Sequence, residues 1–453
     1  MVEEKNFNWT NWAGNHSCIA ENYFEPETEA QIIEVIQFAG KHQKKIRVVG
    51  SGHSFSPIAI SNEILVSLKN YRKLVSVGKD SISCQGGMYL HELYSVLKEN
   101  KLSLSNFGVI NKQTVAGALA TGTHGSSLWH KSLSAEIESL RIITASGEVL
   151  EINRDTVVRT GDKELNLWEA ASISLGMFGI ISEVTFRCEP LFYLKSEESV
   201  VEFDEFIDSM DDYARRYEYF KAWWFPHTNK VYLFKTERIG EELYKEKDKL
   251  ERFTNEQKMR DLEIDALTAP MFIKSNHDPS LIPGINTYCL DYFFTPRTRI
   301  GNSFEILVHD ETVPMVVSEY GLSVLDNNHK KALTEFRDTL EHSDQKIHFP
   351  VDLRYTGAES SWLSPSYNQD TFYIGMCVRE YREKEVHSSM QLFFDVMKKY
   401  NASPNWGKLS DLSKTALEER YPGMNDFRQL RNSMDPNGVF QNEFIKNFFF
   451  NLK

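Results

Sequence analysis

The stretch Ile46-Arg-Val-Val-Gly-Ser-Gly-His-Ser-Phe-Ser-Pro57 constrains the fold most. Ile46 to Val49 is a run rich in β-branched residues and is expected to be a buried strand. It breaks at Gly50-Ser51-Gly52, where small residues let backbone N–H groups approach an anion closely. His53 and Ser54 follow at once. A strand ending in a glycine turn, with histidine at its mouth, puts an anion cradle and an imidazole in one place. A tight turn with a surface histidine would use the same residues.

A second stretch, Thr114-Val-Ala-Gly-Ala-Leu-Ala-Thr-Gly-Thr-His-Gly-Ser-Ser127, is dense in glycine, alanine and hydroxyl residues. It lacks the apolar bulk of an ordinary core element, and its small residues let backbone lie against a flat or anionic ligand. No Gly-Lys-Ser/Thr closes it, so it is not a Walker loop. The Rossmann Gly-x-Gly-x-x-Gly spacing also fails.

Together the two stretches resemble the FAD-binding (PCMH-type) domain of the vanillyl-alcohol oxidase superfamily, in its branch of aldonolactone and alditol oxidases. Asn11-Trp-Ala-Gly14, Gly50-Ser-Gly-His-Ser54 and Ala120-Thr-Gly-Thr-His-Gly125 carry the likeness. So do Trp362-Leu-Ser-Pro365, Asn405-Trp-Gly-Lys408 and Asp435-Pro-Asn-Gly438. The motifs fall in the family's order along nearly the whole chain.

The resemblance implies an FAD bonded covalently through His53 to its 8α-methyl group. No cysteine near the glycine-rich segment offers a second link. By the same resemblance Gly50, Ser51, Gly52, Ser54, Thr114, Val115, Gly117, Ala118, Thr121, Gly122 and Gly125 contact FAD. His124 either bonds a phosphate or is structural. Gly179, Ile180 and Ile181 match the segment that seats the adenine and ribose, and a plain buried strand would use the same residues. Gly108 matches the position against the flavin where O₂ approaches; a turn requiring positive φ is the alternative.

Lys408 is the foremost catalytic candidate. A lysine held near the flavin stabilises the negative charge that develops as hydride arrives. Asp352 and Arg354 stand two apart on an expected strand, so both side chains share a face and can enter one pocket. A carboxylate beside an arginine can orient a substrate hydroxyl or take its proton; a cross-strand ion pair on a solvated face is the plain alternative. Three positions depart from the family pattern. Asp352 stands where relatives usually carry Glu, Val109 where alditol oxidases have Ser, and Asn405 where the family has His. Asn405 cannot act as a base near neutral pH but still hydrogen-bonds.

The net charge of −13 argues against a nucleic-acid partner and against docking on anionic lipid. No apolar run reaches the roughly 20 residues a membrane helix needs, and the acidic, polar start is not read as a signal peptide. Five scattered cysteines, Cys18, Cys84, Cys188, Cys289 and Cys377, form no metal-binding spacing. Free thiols in a reducing compartment, hence a cytoplasmic protein, are expected. It is expected to be a monomer or small homo-oligomer.

Helices and short strands interleave over residues 1–190, which are expected to form an α+β FAD-binding unit. Helices are expected at residues 28–42 and 90–97, strands at 64–68, 74–77, 82–85 and 180–186, and a hairpin at 140–152. Residues 191–420 are expected to form a second α+β unit, a cap over the substrate with an antiparallel sheet. Its expected strands are Phe304 to Val308, His348 to Leu353 and Thr371 to Val378, with a hairpin at 222–234. Its expected helices run from Phe203 to Tyr219, Asn327 to Glu341 and Glu385 to Tyr400. The charged stretch from Glu241 to Arg260 reads as a solvated helix or an excursion. Residues 421–453 are expected to return to the FAD unit.

The expected function is oxidation of a CH–OH group of a sugar-derived polyol or aldonolactone, with hydride passing to flavin N5 and O₂ reduced to hydrogen peroxide. Two rivals are a flavoenzyme of the same fold acting on another alcohol or a secondary metabolite, and a redox-silent flavin-binding protein.

Overall fold

The computed structural model of the chain describes residues 1–309, 315–378 and 383–449. The architecture is α+β. Ile46–Val49 is the edge of a four-stranded sheet and pairs in parallel with Ile64–Ser67. The other two strands form an N-terminal hairpin, Val2–Thr10 with Ser17–Glu25, absent from the sequence reading. Its first strand is mostly exposed, so it lacks the apolar alternation by which strands are recognised.

The Glu29–His42 helix covers this sheet with Ile32, Val35, Ile36 and Ala39, which pack against Ile46, Ile64 and Val66. Thr28 caps it, its hydroxyl accepting the Gln31 N–H. A five-stranded antiparallel sheet stands beside it, ordered Leu74–Val77, Ser81–Gln85, Ile180–Arg187, Ile137–Ile143, Val149–Asn153. The glycine- and alanine-rich run contains a short helix, Val115–Ala120, that no sequence signal announced.

Beyond residue 190 lies an eight-stranded antiparallel sheet. Its order is Arg297–Asn302, Tyr193–Glu202, Lys230–Ile239, Tyr219–Phe225, Val351–Thr356, Thr371–Val378, Val316–Ser323, Ser403–Pro404. One face carries Trp224, Leu233, Leu353 and Ile374 and forms core with Phe206 and Met210 of the Phe203–Arg216 helix and Phe336 of the Asn328–Glu341 helix. The register puts Lys221 opposite Arg354, Trp223 opposite Asp352, and Asp352 and Glu319 each opposite Gly375. These residues share the other face, which turns toward the glycine-rich run: Ser127 donates its N–H to the Tyr355 carbonyl at 2.7 Å.

Two expected strands are corrected. Phe304 to Val308 lies in a helix, Ser303–Leu307, because Asn302 accepts the Phe304 and Glu305 N–H groups while Glu305 accepts that of Asn302. This capping box overrides the apolar run. The strand expected from His348 begins at Val351. The charged stretch resolves into helices Glu241–Lys245, Lys247–Leu250 and Asn255–Ser275.

The end of the chain returns to the first sheet. Val439 accepts the Ile46 N–H at 2.7 Å, and Asn442 donates to the carbonyls of Pro57, Ile58 and Ile60. Buried Asp435 accepts from Arg431 and from the Val439 and Phe440 N–H groups. Those bonds shape the Asp-Pro-Asn-Gly turn, where Gly438 adopts φ +62°. All five cysteines are free. Among the described residues, no helix is long and apolar enough to cross a membrane, and no cluster of His, Cys, Asp or Glu could hold a metal.

Candidate active site

A cleft opens where the Ile46–Val49 strand ends. Gly50, Ser51, Gly52, His53 and Ser54 form one wall, Thr114, Gly117 and Thr121 another, and Gly179, Ile180 and Ile181 a third. The sequence motifs thus converge in space. A Cβ on Gly50 would stand 2.3 Å from the Thr114 hydroxyl oxygen, so only glycine lets the two walls approach. Gly179 adopts φ +150° with the Ile143 carbonyl 2.4 Å from a Cβ position, so it too must be glycine.

Not every expected contact lines the cleft. The Val115 and Ala118 side chains point into the core, and Gly108, Gly122, His124 and Gly125 lie off the cleft walls. Gly108 has no positive φ; its constraint is the Thr123 methyl, 2.5 Å from a Cβ position. The turn alternative for Gly108 therefore gives way to close approach.

The walls fit FAD. Among the described residues, the backbone N–H groups of Gly50, Ser51 and Gly52 have no protein acceptor, so they suit phosphate oxygens. Arg47 lines the same cleft, fully enclosed, and donates only to carbonyls, those of Ile58, Leu175 and Phe440. Burial pushes its guanidinium down to about 10, and among the described residues no carboxylate offsets the charge. A pyrophosphate would offset it.

His53 stacks on Trp12 with ring centroids 4.9 Å apart. Trp12 donates its N–H to the Gly52 carbonyl at 2.9 Å and Asn11 its amide to the Ser54 carbonyl at 3.0 Å, so the opening Asn-Trp-Ala-Gly motif braces the loop. Burial, then the charges of Lys408 and Lys112, push the His53 imidazole down to about 4. It is neutral near pH 7, which is the nucleophilic form.

Lys408 reaches this place through backbone contacts. Phe55 donates its N–H to the Gly407 carbonyl at 2.7 Å, and the Ser56 hydroxyl donates to the Trp406 carbonyl at 2.7 Å. The Trp406 indole donates to the Leu363 carbonyl at 2.7 Å, tying the Trp-Leu-Ser-Pro motif to the Asn-Trp-Gly-Lys motif. The Lys408 ammonium lies over the Phe55 ring, 5.0 Å from its centroid.

On the sheet face, Arg354 holds two carboxylates. Its terminal nitrogen donates to Glu319, and its Nε stands 2.9 Å from Asp352, with the N–H not aimed at the oxygen. Trp223 donates its indole N–H to the other Asp352 oxygen at 3.1 Å. Glu319 is 1% exposed on its side chain and also accepts from the Asn405 amide at 2.8 Å and meets His124 Nε2 at 3.3 Å. Burial works against its charge, but Arg354, then His124 and Lys408, hold its carboxyl well below the ordinary value. His124, stacked on Tyr373 at 3.9 Å, belongs to this cluster.

Residues 184–448, more than half the chain, match the model of the D-arabinono-1,4-lactone oxidase family, and residues 20–153 match an FAD binding domain. The chain belongs to the D-arabinono-1,4-lactone oxidase family. It is an FAD-dependent oxidoreductase. It is 30% identical over 441 residues to L-gulono-1,4-lactone dehydrogenase of Mycobacterium tuberculosis, covering 97% of this chain and 98% of that protein. It is 29% identical over 450 residues to L-gulonolactone oxidase of Scyliorhinus torazame, covering 98% of each. Cholesterol oxidase from B. sterolicum shares the fold, with a TM-score of 0.75 at 14% identity over 99% of this chain and 97% of that one.

Sequence reasoning missed Glu319, Arg47 and Lys221. Each carried a signal: a single charge inside a strand run with no other charge. A strand buried on both faces admits such a charge only beside a partner or ligand.

Proposed function

We propose that the chain oxidises a CH–OH group of an aldonolactone, with FAD bonded covalently through His53 and O₂ as acceptor, giving hydrogen peroxide. The observation that carries this reading is the convergence of three separate segments. The His53 loop, Lys408 and the Arg354 cluster meet through Phe55, Gly407 and Glu319.

FAD, when bound, supplies the hydride acceptor. His53 presents a neutral imidazole to the cleft, as nucleophilic attachment requires. Lys408 places a fixed positive charge beside His53, where it favours negative charge developing on the cofactor. Arg354 orients the substrate. The Asp352 side chain is partly exposed, whereas Glu319 is buried and held by Arg354, Asn405 and His124. Asp352 is therefore the acceptor for the substrate hydroxyl proton, and Glu319 positions Arg354 and Asn405. Residues 1–190 hold the cofactor, 191–420 the substrate, and 421–453 close the first unit.

Anaerobic addition of aldonolactones, alditols and hydrophobic alcohols to the yellow protein tests this reading. Bleaching by a lactone supports it; bleaching only by another alcohol moves the substrate elsewhere.

A further inference from the structure

The sheet face that carries Arg354 also carries a cation that the redox step leaves unused. Lys221 lies opposite Arg354 across the strand pair. Its ammonium is 2.6 Å from His309 Nε2 and lies over the rings of Phe234 and Trp223, 4.4 and 4.9 Å from their centroids. Among the described residues, no carboxylate stands within ion-pair distance of it. Asp352 has one oxygen taken by Trp223 and the other beside Arg354. The Lys221 charge and burial push the His309 imidazole well below its ordinary range, so His309 accepts one of the three ammonium hydrogens. Two hydrogens remain.

They open onto a small cavity of about 40 Å³ between the sheet and the glycine-rich run. Phe107, Val109 and Gly125 form one wall; Ser196, Phe234 and Thr236 form the other. Thr236 donates to the Ser196 hydroxyl at 2.9 Å, leaving the Ser196 O–H as a further donor. The cavity therefore has aromatic and aliphatic sides with donors on its sheet wall. A short hydroxylated carbon chain matches both, its C–H edges against the rings and its oxygens toward Lys221 and Ser196. The charges facing Lys221 balance. Glu319 and Asp352 stand against Arg354 and Lys221, and Glu198 and Asp261 against Arg299 and Arg297. The cavity thus has no net charge to favour an anionic tail.

We propose that Lys221, held by His309, anchors the exocyclic hydroxyls of the lactone, so that this chain selects aldonolactones whose ring bears a hydroxylated side chain. This rests on the aldonolactone reading above. Lys221 binds; it takes no part in the redox step. Burial, with Arg299 and Arg354 adding and Asp352 and Glu198 opposing, brings its ammonium down to about 8. The charged donor is present below that pH and is lost as pH rises through it, so the tail binds less tightly above about pH 8.

The test uses flavin-loaded wild type, Lys221→Met and Lys221→Arg. Each is given a 1,4-lactone with a dihydroxyethyl side chain and the same ring without it. Lys221→Met is expected to raise KM for the tail-bearing lactone roughly 10- to 100-fold, the scale of a lost charge-assisted hydrogen bond. Its kcat should change less than about threefold, and KM for the bare ring should change far less than KM for the tail-bearing lactone. Wild-type KM for the tail-bearing lactone should rise with pH through about 8, and Lys221→Arg, which stays charged, should be flat there. Equal effects of Lys221→Met on both lactones, or none on either, overturn the assignment. So does a flat wild-type pH profile, which needs no folded Lys221→Met. If wild type oxidises neither lactone, the aldonolactone reading itself fails; oxidation of both with the same KM in every variant rejects Lys221 alone.

Discussion

Phe55 donates its backbone N–H to the Gly407 carbonyl at 2.7 Å. This one bond joins the loop just after His53 to the residue just before Lys408, segments from opposite ends of the chain. It explains why Lys408 lies over the Phe55 ring and why its charge reaches His53. Imidazole and ammonium are thus placed by the same backbone contact.

The flavin is expected to stay with the polypeptide after acid precipitation, and His53→Ala is expected to release it or bind none. Absorbance of pellet and supernatant reads this directly. Wild-type protein that frees all its flavin would refute the covalent link. The imidazole is neutral above about pH 4, so attachment to apoprotein should not slow between pH 8 and pH 6.

Glu319→Gln removes the charge that holds Arg354. Breaking a buried pair costs on the order of 3 kcal/mol because the partner is left uncompensated. The Glu319 carboxyl is held well below its ordinary value of 4.5 in the folded protein. Its stabilisation is therefore present above about pH 4.5 and lost as pH falls through the lower folded value. The Tm gap between wild type and Glu319→Gln should be constant from pH 7 to about pH 5 and should close below that. A gap that widens on acidification would contradict the assigned ionisation.

The glycine-rich cradle was legible in the sequence because small residues at this density have few other uses, though only part of the run, Thr114, Gly117 and Thr121 among it, lines the cleft. Lys408, Asp352 and Arg354 were legible as residue types at the right spacing. Their partners were not. Glu319 is brought to Arg354 by strand pairing across residues distant in sequence, and one chain read alone carries no register. The Ser303–Leu307 helix was misread because its apolar run matched a strand while its capping box went unweighed.

Gly108→Ala is expected to slow reoxidation of reduced flavin by O₂ while leaving anaerobic reduction nearly intact. The added methyl meets the Thr123 methyl at 2.5 Å, and Thr123 in turn accepts from Gln113 on the cleft wall. Thr123→Ser removes that methyl and keeps the hydroxyl. Stopped-flow reoxidation of the double variant separates the two effects. Slow reoxidation that persists there places Gly108 on the oxygen path; full recovery assigns the effect to Thr123.

The most direct test is anaerobic mixing of the holoprotein with an aldonolactone, following the flavin absorbance. The account predicts bleaching by wild type and bleaching slowed roughly 100-fold in Lys408→Met at unchanged flavin content, the scale of one lost preorganised charge. Flavin that no aldonolactone bleaches, or a Lys408→Met protein reduced at the wild-type rate, would contradict it.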